Sequence, residues 1–405
     1  MQRLAGLVLI LVASSAAAEG GAELGAALTS GTATIDVRAR YEQVEQQGFD
    51  ADAQATTTRL RLNYKTGQWN HWSGLLEFDH VFNVLLTDYD SGAGTSPGKA
   101  GEYPVIADPD GSDLNQLYFE YSSDPDWQWR IGRQRILLDN QRFVGGVGWR
   151  QNEQTYDAFS LTTTAARKTT LFYSYVGQVR RIFGQEVPAG HSNVDTHLLN
   201  ASIQLHDNWS LTPYAYYIDD HDTLANSTST IGARIAGKLP LGKGKIELLA
   251  EFATQSDAAD APVSFDADYA HLTATWSGAG GLSFGVGFES LGGSPDPGEA
   301  FRTPLATLHA FNGWADVFLA TPNAGLDDRY ATVTYAAGKW NLSGVLHEFT
   351  ADSGRADFGS ELDLSAARKL GKRYGLLLKA ALFSADSDAS LPDVDKFWLM
   401  LTASY

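Results

Sequence analysis

Charged and apolar residues alternate one by one along much of this chain. Ile35, Val37, Ala39 and Tyr41 interleave with Asp36, Arg38, Arg40 and Glu42. Leu60, Leu62 and Tyr64 interleave with Arg59, Arg61, Asn63 and Lys65. The same holds for Ile246, Leu248, Ala250 and Phe252 against Glu247 and Glu251, and for Leu362, Leu364 and Ala366 against Glu361, Asp363 and Ser365. A period of two places each set on one face of a β-strand. One face is then oily and the other wet and charged. A closed transmembrane barrel accepts this pattern, with lipid outside and water within. A charge on its lipid face costs about 2–4 kcal/mol at the midplane, so the charges must point inward. Backbone groups in lipid need internal partners, so such strands must close without an edge.

Period-two segments are expected near 33–46, 55–66, 69–82, 113–123, 127–136, 153–164, 167–183, 194–206, 208–219, 228–239, 245–256, 266–277, 281–291, 327–337, 340–350, 358–370, 373–385 and 393–405. The expected fold is all-β: a transmembrane, antiparallel, up-and-down barrel of about 18 strands. The connections between segments alternate short and long. Gly67-Gln68, Ala165-Ala166, Gly338-Lys339 and Gly371-Lys372 are short. The longest lie at 83–112, 137–152 and 292–326. Short periplasmic turns alternating with longer outer loops are how such barrels are built. Eighteen strands enclose a lumen too wide for wall side chains to fill, so the architecture implies a channel unless loops plug it.

Both ends of the chain agree with export to a membrane. Arg3, the apolar run from Leu4 to Val12 and the small residues Ala16-Ala17-Ala18 read as a signal peptide over 1–18, with the mature chain starting near Glu19. Phe397, Leu399, Leu401, Ala403 and Tyr405 form an apolar strand face that ends on an aromatic residue. An unpaired apolar edge invites aggregation, so this strand is expected to pair with the first. It is also the expected contact for the barrel-assembly machinery. The chain has no cysteine, which removes disulfides and thiol chemistry. Its 48 acidic against 30 basic residues give a net charge of −18, which argues against nucleic acid as a partner. Outer-membrane lipid and lipopolysaccharide are the expected surroundings.

One segment departs from the general acidity. Residues 130–181 hold nine basic side chains, Arg130, Arg133, Arg135, Arg142, Arg150, Arg167, Lys168, Arg180 and Arg181, against Asp139, Glu153 and Asp157. Guanidinium groups bind carboxylate or phosphate through paired hydrogen bonds and stay charged. Rings of Arg or Lys in a pore select anions. The bland alternatives are that these arginines brace the wall by pairing with lumenal acids, or that they bind lipopolysaccharide phosphates. Within 132–158, Gly145, Gly146 and Gly148 permit sharp bends, and Asn140, Gln141, Gln151 and Asn152 can cross-link a loop. Such a loop can fold inward and narrow the barrel. In 292–326, Leu305, Leu308, Phe311 and Trp314 follow a spacing of three, which predicts a short helix tucked against the barrel mouth, where it either gates the pore or caps the rim.

The 132–158 stretch resembles the alginate-export family of outer-membrane proteins. So do Thr303-Pro304-Leu305-Ala306 with Asn312-Gly313-Trp314-Ala315-Asp316, Ser256-Asp257, and Asp266-Ala267-Asp268-Tyr269. Matching segments extend from roughly residue 113 to the C-terminus. The resemblance implies an eighteen-stranded barrel of the bacterial outer membrane with an arginine-lined pore, and export of an anionic polysaccharide as the founding activity. By that analogy Arg59, Arg61, Arg130, Arg133, Arg135, Arg142, Arg150, Arg180 and Arg181 are expected to line the pore and bind anions. A lumen acidic throughout would not suit a polyuronate, and outer-loop acids such as Asp88, Asp90, Asp108, Asp110 and Asp113 are one place to put the excess.

No enzyme, cofactor or metal is expected. The nine histidines form no His-x-x-x-His pair, and neither a Gly-x-Ser-x-Gly elbow nor an EF-hand pattern occurs. The expected function is a porin-like outer-membrane channel passing an anionic saccharide such as alginate, or a small organic anion. The rivals are a cation-preferring porin and a sealed structural or adhesive barrel.

Overall fold

The computed structural model describes residues 17–354 and 356–405. Residues 1–16 of the expected signal peptide lie outside this range, and Ala17 and Ala18 open a helix, α1 (Ala17–Thr29). Eighteen strands follow: β1 (Thr32–Gln46), β2 (Ala53–Lys65), β3 (Trp72–Asp88), β4 (Gly111–Asp124), β5 (Trp127–Gln134), β6 (Thr155–Thr163), β7 (Thr169–Arg180), β8 (His191–His206), β9 (Trp209–Asp220), β10 (Thr228–Leu241), β11 (Gly244–Asp257), β12 (Asp266–Ser277), β13 (Leu282–Leu291), β14 (Leu326–Ala337), β15 (Trp340–Thr350), β16 (Asp357–Leu370), β17 (Tyr374–Ala385) and β18 (Val394–Ser404). Each pairs antiparallel with its sequence neighbours. β18 pairs with β1, from Asp36 opposite Ser404 to Gln46 opposite Val394, and closes the barrel. Ile35 and Tyr405 exchange both backbone hydrogen bonds at the end of this seam.

The alternation resolves as the sequence predicts. Arg40, Glu42, Arg59, Arg61, Glu361 and Asp363 are buried on the inner face, whereas Ile35, Leu62, Leu362 and Leu364 are exposed on the outer one. Among the described residues no helix is long and apolar enough to cross a membrane; the strands do the crossing. α1 sits at the short-turn end, where the Gly67 amide donates to the Ala27 carbonyl and the Tyr64 hydroxyl donates to the Leu28 carbonyl.

Two expectations change. β3 runs six residues beyond its predicted end, because the run Val84-Leu85-Leu86 breaks the alternation and a bulge opposite Ala55 and Thr57 absorbs it. The predicted helix in the β13–β14 loop is a single 3-10 turn, Leu308–Ala310. The loop does not cap the rim. It folds into the lumen, where Leu305 is 1% exposed.

Candidate constriction and vestibule

Two loops fill the middle of the barrel. The β5–β6 loop (135–154) crosses the lumen, and the β13–β14 loop (292–325) packs along it. Val144 and Leu305 form a parallel bridge between them, the Gly145 amide donates to the Leu305 carbonyl at 2.8 Å, and the Thr307 amide to the Gln141 carbonyl at 3.0 Å. The glycines of 145–148 permit this approach, since a side chain at Gly145 would strike Thr307.

Arginines of β1 and β2 anchor one side of the crossing. Arg38 donates to the carbonyls of Gly148 and Arg150, both at 3.0 Å, and of Trp149 at 3.2 Å. Arg40 meets Asp108 at 2.9 Å and also donates to the Trp149 carbonyl. Arg59 donates to the Gln151 carbonyl at 3.2 Å, with Glu153 at 3.9 Å. Arg61 makes a two-pronged contact with Asp79, at 2.7 and 2.6 Å, and reaches Glu153 at 2.7 Å. Arg135 bonds both Glu77 and Glu153. Burial works against the Glu153 charge, but Arg61 and Arg135 outweigh it and hold that carboxyl down at about 2.

The other side of the crossing is anchored by Arg142. It meets Glu289 of β13 at 2.7 Å and Asn312 at 2.9 Å, while Tyr269 donates to the same Glu289 at 2.7 Å. Beside it Phe143 inserts among Tyr214, Tyr216, Tyr269 and Phe301, with centroids 5.2 to 6.1 Å away. The tip of the second loop is clamped as well. The Trp314 and Ala315 amides donate to Asp363 and Glu361, at 3.2 and 2.8 Å. A side chain at Gly313, which has φ +83°, would run into Glu361.

The two loops and the wall meet at Asp316. Arg150 and Lys396 both lie 3.1 Å from it and His309 2.7 Å; Arg150 also holds Glu42 at 3.1 Å. Burial opposes the Asp316 charge, but His309, Lys396 and Arg150 outweigh it and hold the carboxyl well below the usual range. His309 stacks on Trp149 at 4.6 Å and lies 2.6 Å from Lys379, whose ammonium stands over Trp314 at 3.7 Å. A cavity of about 480 Å³ opens over this junction toward the long-loop side. Its walls are mainly apolar, with Val105, Ile182, Phe183, Leu308, Leu319 and Leu391 among them. Its polar lining includes Arg150, Arg181, Lys396 and Asp316.

The nine arginines singled out in the sequence thus separate. Arg59, Arg61, Arg135, Arg142 and Arg150 gather at the loop crossing, bonded as just described. Arg181 lines the cavity, donating to Gln154 at 2.8 Å and to the Pro304 carbonyl at 2.7 Å. Arg130 is inward but lies near the short-turn end, paired with Glu120 at 2.7 Å. Arg133 and Arg180 take the opposite face. Arg133 stands across from Leu117, in line with the exposed Ile131 and Trp129, and both arginines share Asp157, at 2.7 and 3.0 Å. Their register removes them from the constriction. The sequence reading turned Arg38 and Arg40 inward with Arg59 and Arg61 but did not count them among the anion-binding candidates, and it passed over Lys379 and Lys396. It also offered Asp90, Asp108 and Asp113 as outer-loop acids; the first two do lie in the loop between β3 and β4, but away from solvent. Asp108 is 0% exposed and pairs with Arg40, Asp90 is buried, and Asp113 lies in β4 opposite Asp79.

No curated protein matches the chain. Among solved structures it is similar to OpdO of Pseudomonas aeruginosa, with 12% identity and a TM-score of 0.71 over 94% of this chain and 99% of that one. It is similar to OccAB4 of Acinetobacter baumannii, with 10% identity and a TM-score of 0.73 over 93% and 98%. It is also similar to OpdL of Pseudomonas aeruginosa, with 16% identity and a TM-score of 0.70 over 93% and 99%. These likenesses support the eighteen-stranded barrel fold. The alginate-export family matches over residues 28–283, a span that begins earlier than the sequence resemblance suggests and stops short of the 303–316 motif. With its closed barrel and inward basic wall, the chain belongs to the alginate-export family of bacterial outer-membrane channels.

Proposed function

We propose that this channel passes small organic anions by diffusion and prefers anions over cations. The observation that carries the reading is that Arg38 and Arg181 have no carboxylate within 4.0 Å among the described residues. Their partners are carbonyl and amide oxygens, which satisfy donors without cancelling charge. The cavity supports it: Arg150, Arg181 and Lys396 share its lining with one carboxylate, Asp316, and of the three Arg181 is paired with no carboxylate. Fixed guanidinium groups in a pore compensate a passing anion for lost hydration. Two loops folded into the lumen favour small solutes over a polysaccharide chain.

Reversal potentials across a potassium chloride gradient test the reading. The expected result is anion preference, with the Arg38→Gln, Arg181→Gln double variant lowering the anion-to-cation ratio by about twofold or more. Cation preference in the native protein would overturn the reading. Absence of conductance would point to the sealed structural barrel.

A further inference from the structure

The vestibule cavity has a composition that a simple ion path does not need. Its volume, about 480 Å³, is that of a small-ligand site. A route for hydrated ions is walled by carbonyls, charged side chains or other polar groups. Here Phe183, Ile182, Leu319 and Leu391 form the walls, from three different long loops. Three cations, Arg150, Arg181 and Lys396, interrupt the apolar lining. Arg150 and Lys396 are held by Asp316, whereas Arg181 commits only Nη1, to Gln154 and Pro304. Its Nε and Nη2 make no hydrogen bond with the described residues, and the residue is half-buried. A guanidinium edge of this kind fits one carboxylate through two parallel bonds. The apolar walls then need an apolar body on the same molecule.

We propose that this cavity is a binding site for an amphipathic monocarboxylate: an aryl or alkyl body against Phe183 and Leu319, and a carboxylate on Arg181. The inference rests on the anion-channel reading and names the solute class that the channel retains. It makes Arg181 the specificity-determining residue. A uronate has the charge but presents hydroxyls to Ile182, Phe183, Leu319 and Leu391, which cannot bond them, and unpaired polar groups are penalised on burial.

Single-channel currents with probes added on the long-loop side test this. 4-Phenylbutyrate is expected to interrupt the current at concentrations about tenfold below those of acetate or galacturonate, given the apolar area it buries. Arg181→Gln is expected to weaken that block about tenfold or more, with Arg181→Lys intermediate. Leu319→Asn should weaken block by phenylbutyrate and leave that by acetate unchanged. Circular dichroism of each variant confirms that the barrel is intact. Equal block by galacturonate, or unchanged block in Arg181→Gln, would overturn the site. The two proposals fail separately: a cation-preferring channel still blocked by phenylbutyrate sinks the selectivity reading alone, and an anion-preferring channel that phenylbutyrate does not block sinks the site alone.

Discussion

His309 shows how a single buried side chain holds a loop in place. Burial, helped by the neighbouring Lys379 charge, pushes its pKa down to about 3, although Asp316 pulls the other way. The neutral ring then has one workable tautomer: Nδ1–H donates to Asp316, and Nε2 accepts from the Lys379 ammonium. The folded value lies below the unfolded value of about 6.5, so the site contributes stability above about pH 6.5 and loses it as pH falls toward the folded value. Glu153 behaves alike lower down, because its carboxyl must be protonated against Arg61 and Arg135, between its ordinary range and about 2. Acid therefore loosens both loops, His309 first. Open-channel current noise is expected to rise between about pH 6 and pH 4 in the native protein. In His309→Gln, where the amide can still donate and accept but cannot titrate, that rise should be absent and only the Glu153 component at lower pH should remain. A native channel equally quiet at pH 7 and pH 4 would exclude this role for His309.

At the scale of elements, the strands and the loops differ in how much of them the sequence reveals. Strand identity rests on neighbours two residues apart, such as Glu361, Leu362, Asp363 and Leu364, so it can be read locally. The crossing loop depends on partners far along the chain. Arg61 meets Glu153 across 92 residues and Arg142 meets Glu289 across 147. No periodicity encodes such pairs, which is why a basic cluster legible at 130–181 could be read either as an anion path or as a brace. For Arg142 and Arg150 the brace won, because each is buried against a carboxylate. The 303–316 segment misled for a related reason: its apolar spacing of three serves insertion into the lumen, where Gly313 and the Trp314 and Ala315 amides are used against β16, and no helix is needed. The loop's anchor can be tested by itself. Phe143→Ala empties an aromatic pocket and should cost about 3–5 kcal/mol of loop docking. Since Phe143 takes no part in strand pairing, the unfolding midpoint of the barrel should barely move while single-channel conductance rises. A large loss of barrel stability with unchanged conductance would mean that the loop is part of the fold and does not restrict the pore.

The whole molecule stands on one geometric rule, that the two faces of every strand meet different solvents. Val286 and Thr332 put the rule to a direct test, because they lie on adjacent strands at similar height but on opposite faces. Val286 is 61% exposed near the middle of β13, opposite Ala274 and Ala331, on the side given to lipid. Thr332 of β14 faces inward, opposite Gly285 and Val345, where water is available. Arginine at Val286 must carry its charge into hydrocarbon, at a cost of about 2–4 kcal/mol at the midplane. Arginine at Thr332 keeps its charge hydrated, so its effect should stay within about 0.5 kcal/mol. Urea unfolding from phosphatidylcholine vesicles measures both. The expected order is a marked loss for Val286→Arg and almost none for Thr332→Arg, and the same asymmetry should vanish in a detergent that lets water reach the outer wall. Equal losses in vesicles would mean that the alternation does not separate lipid from lumen, and the basic wall of β1 and β2 would then have no wet interior to face.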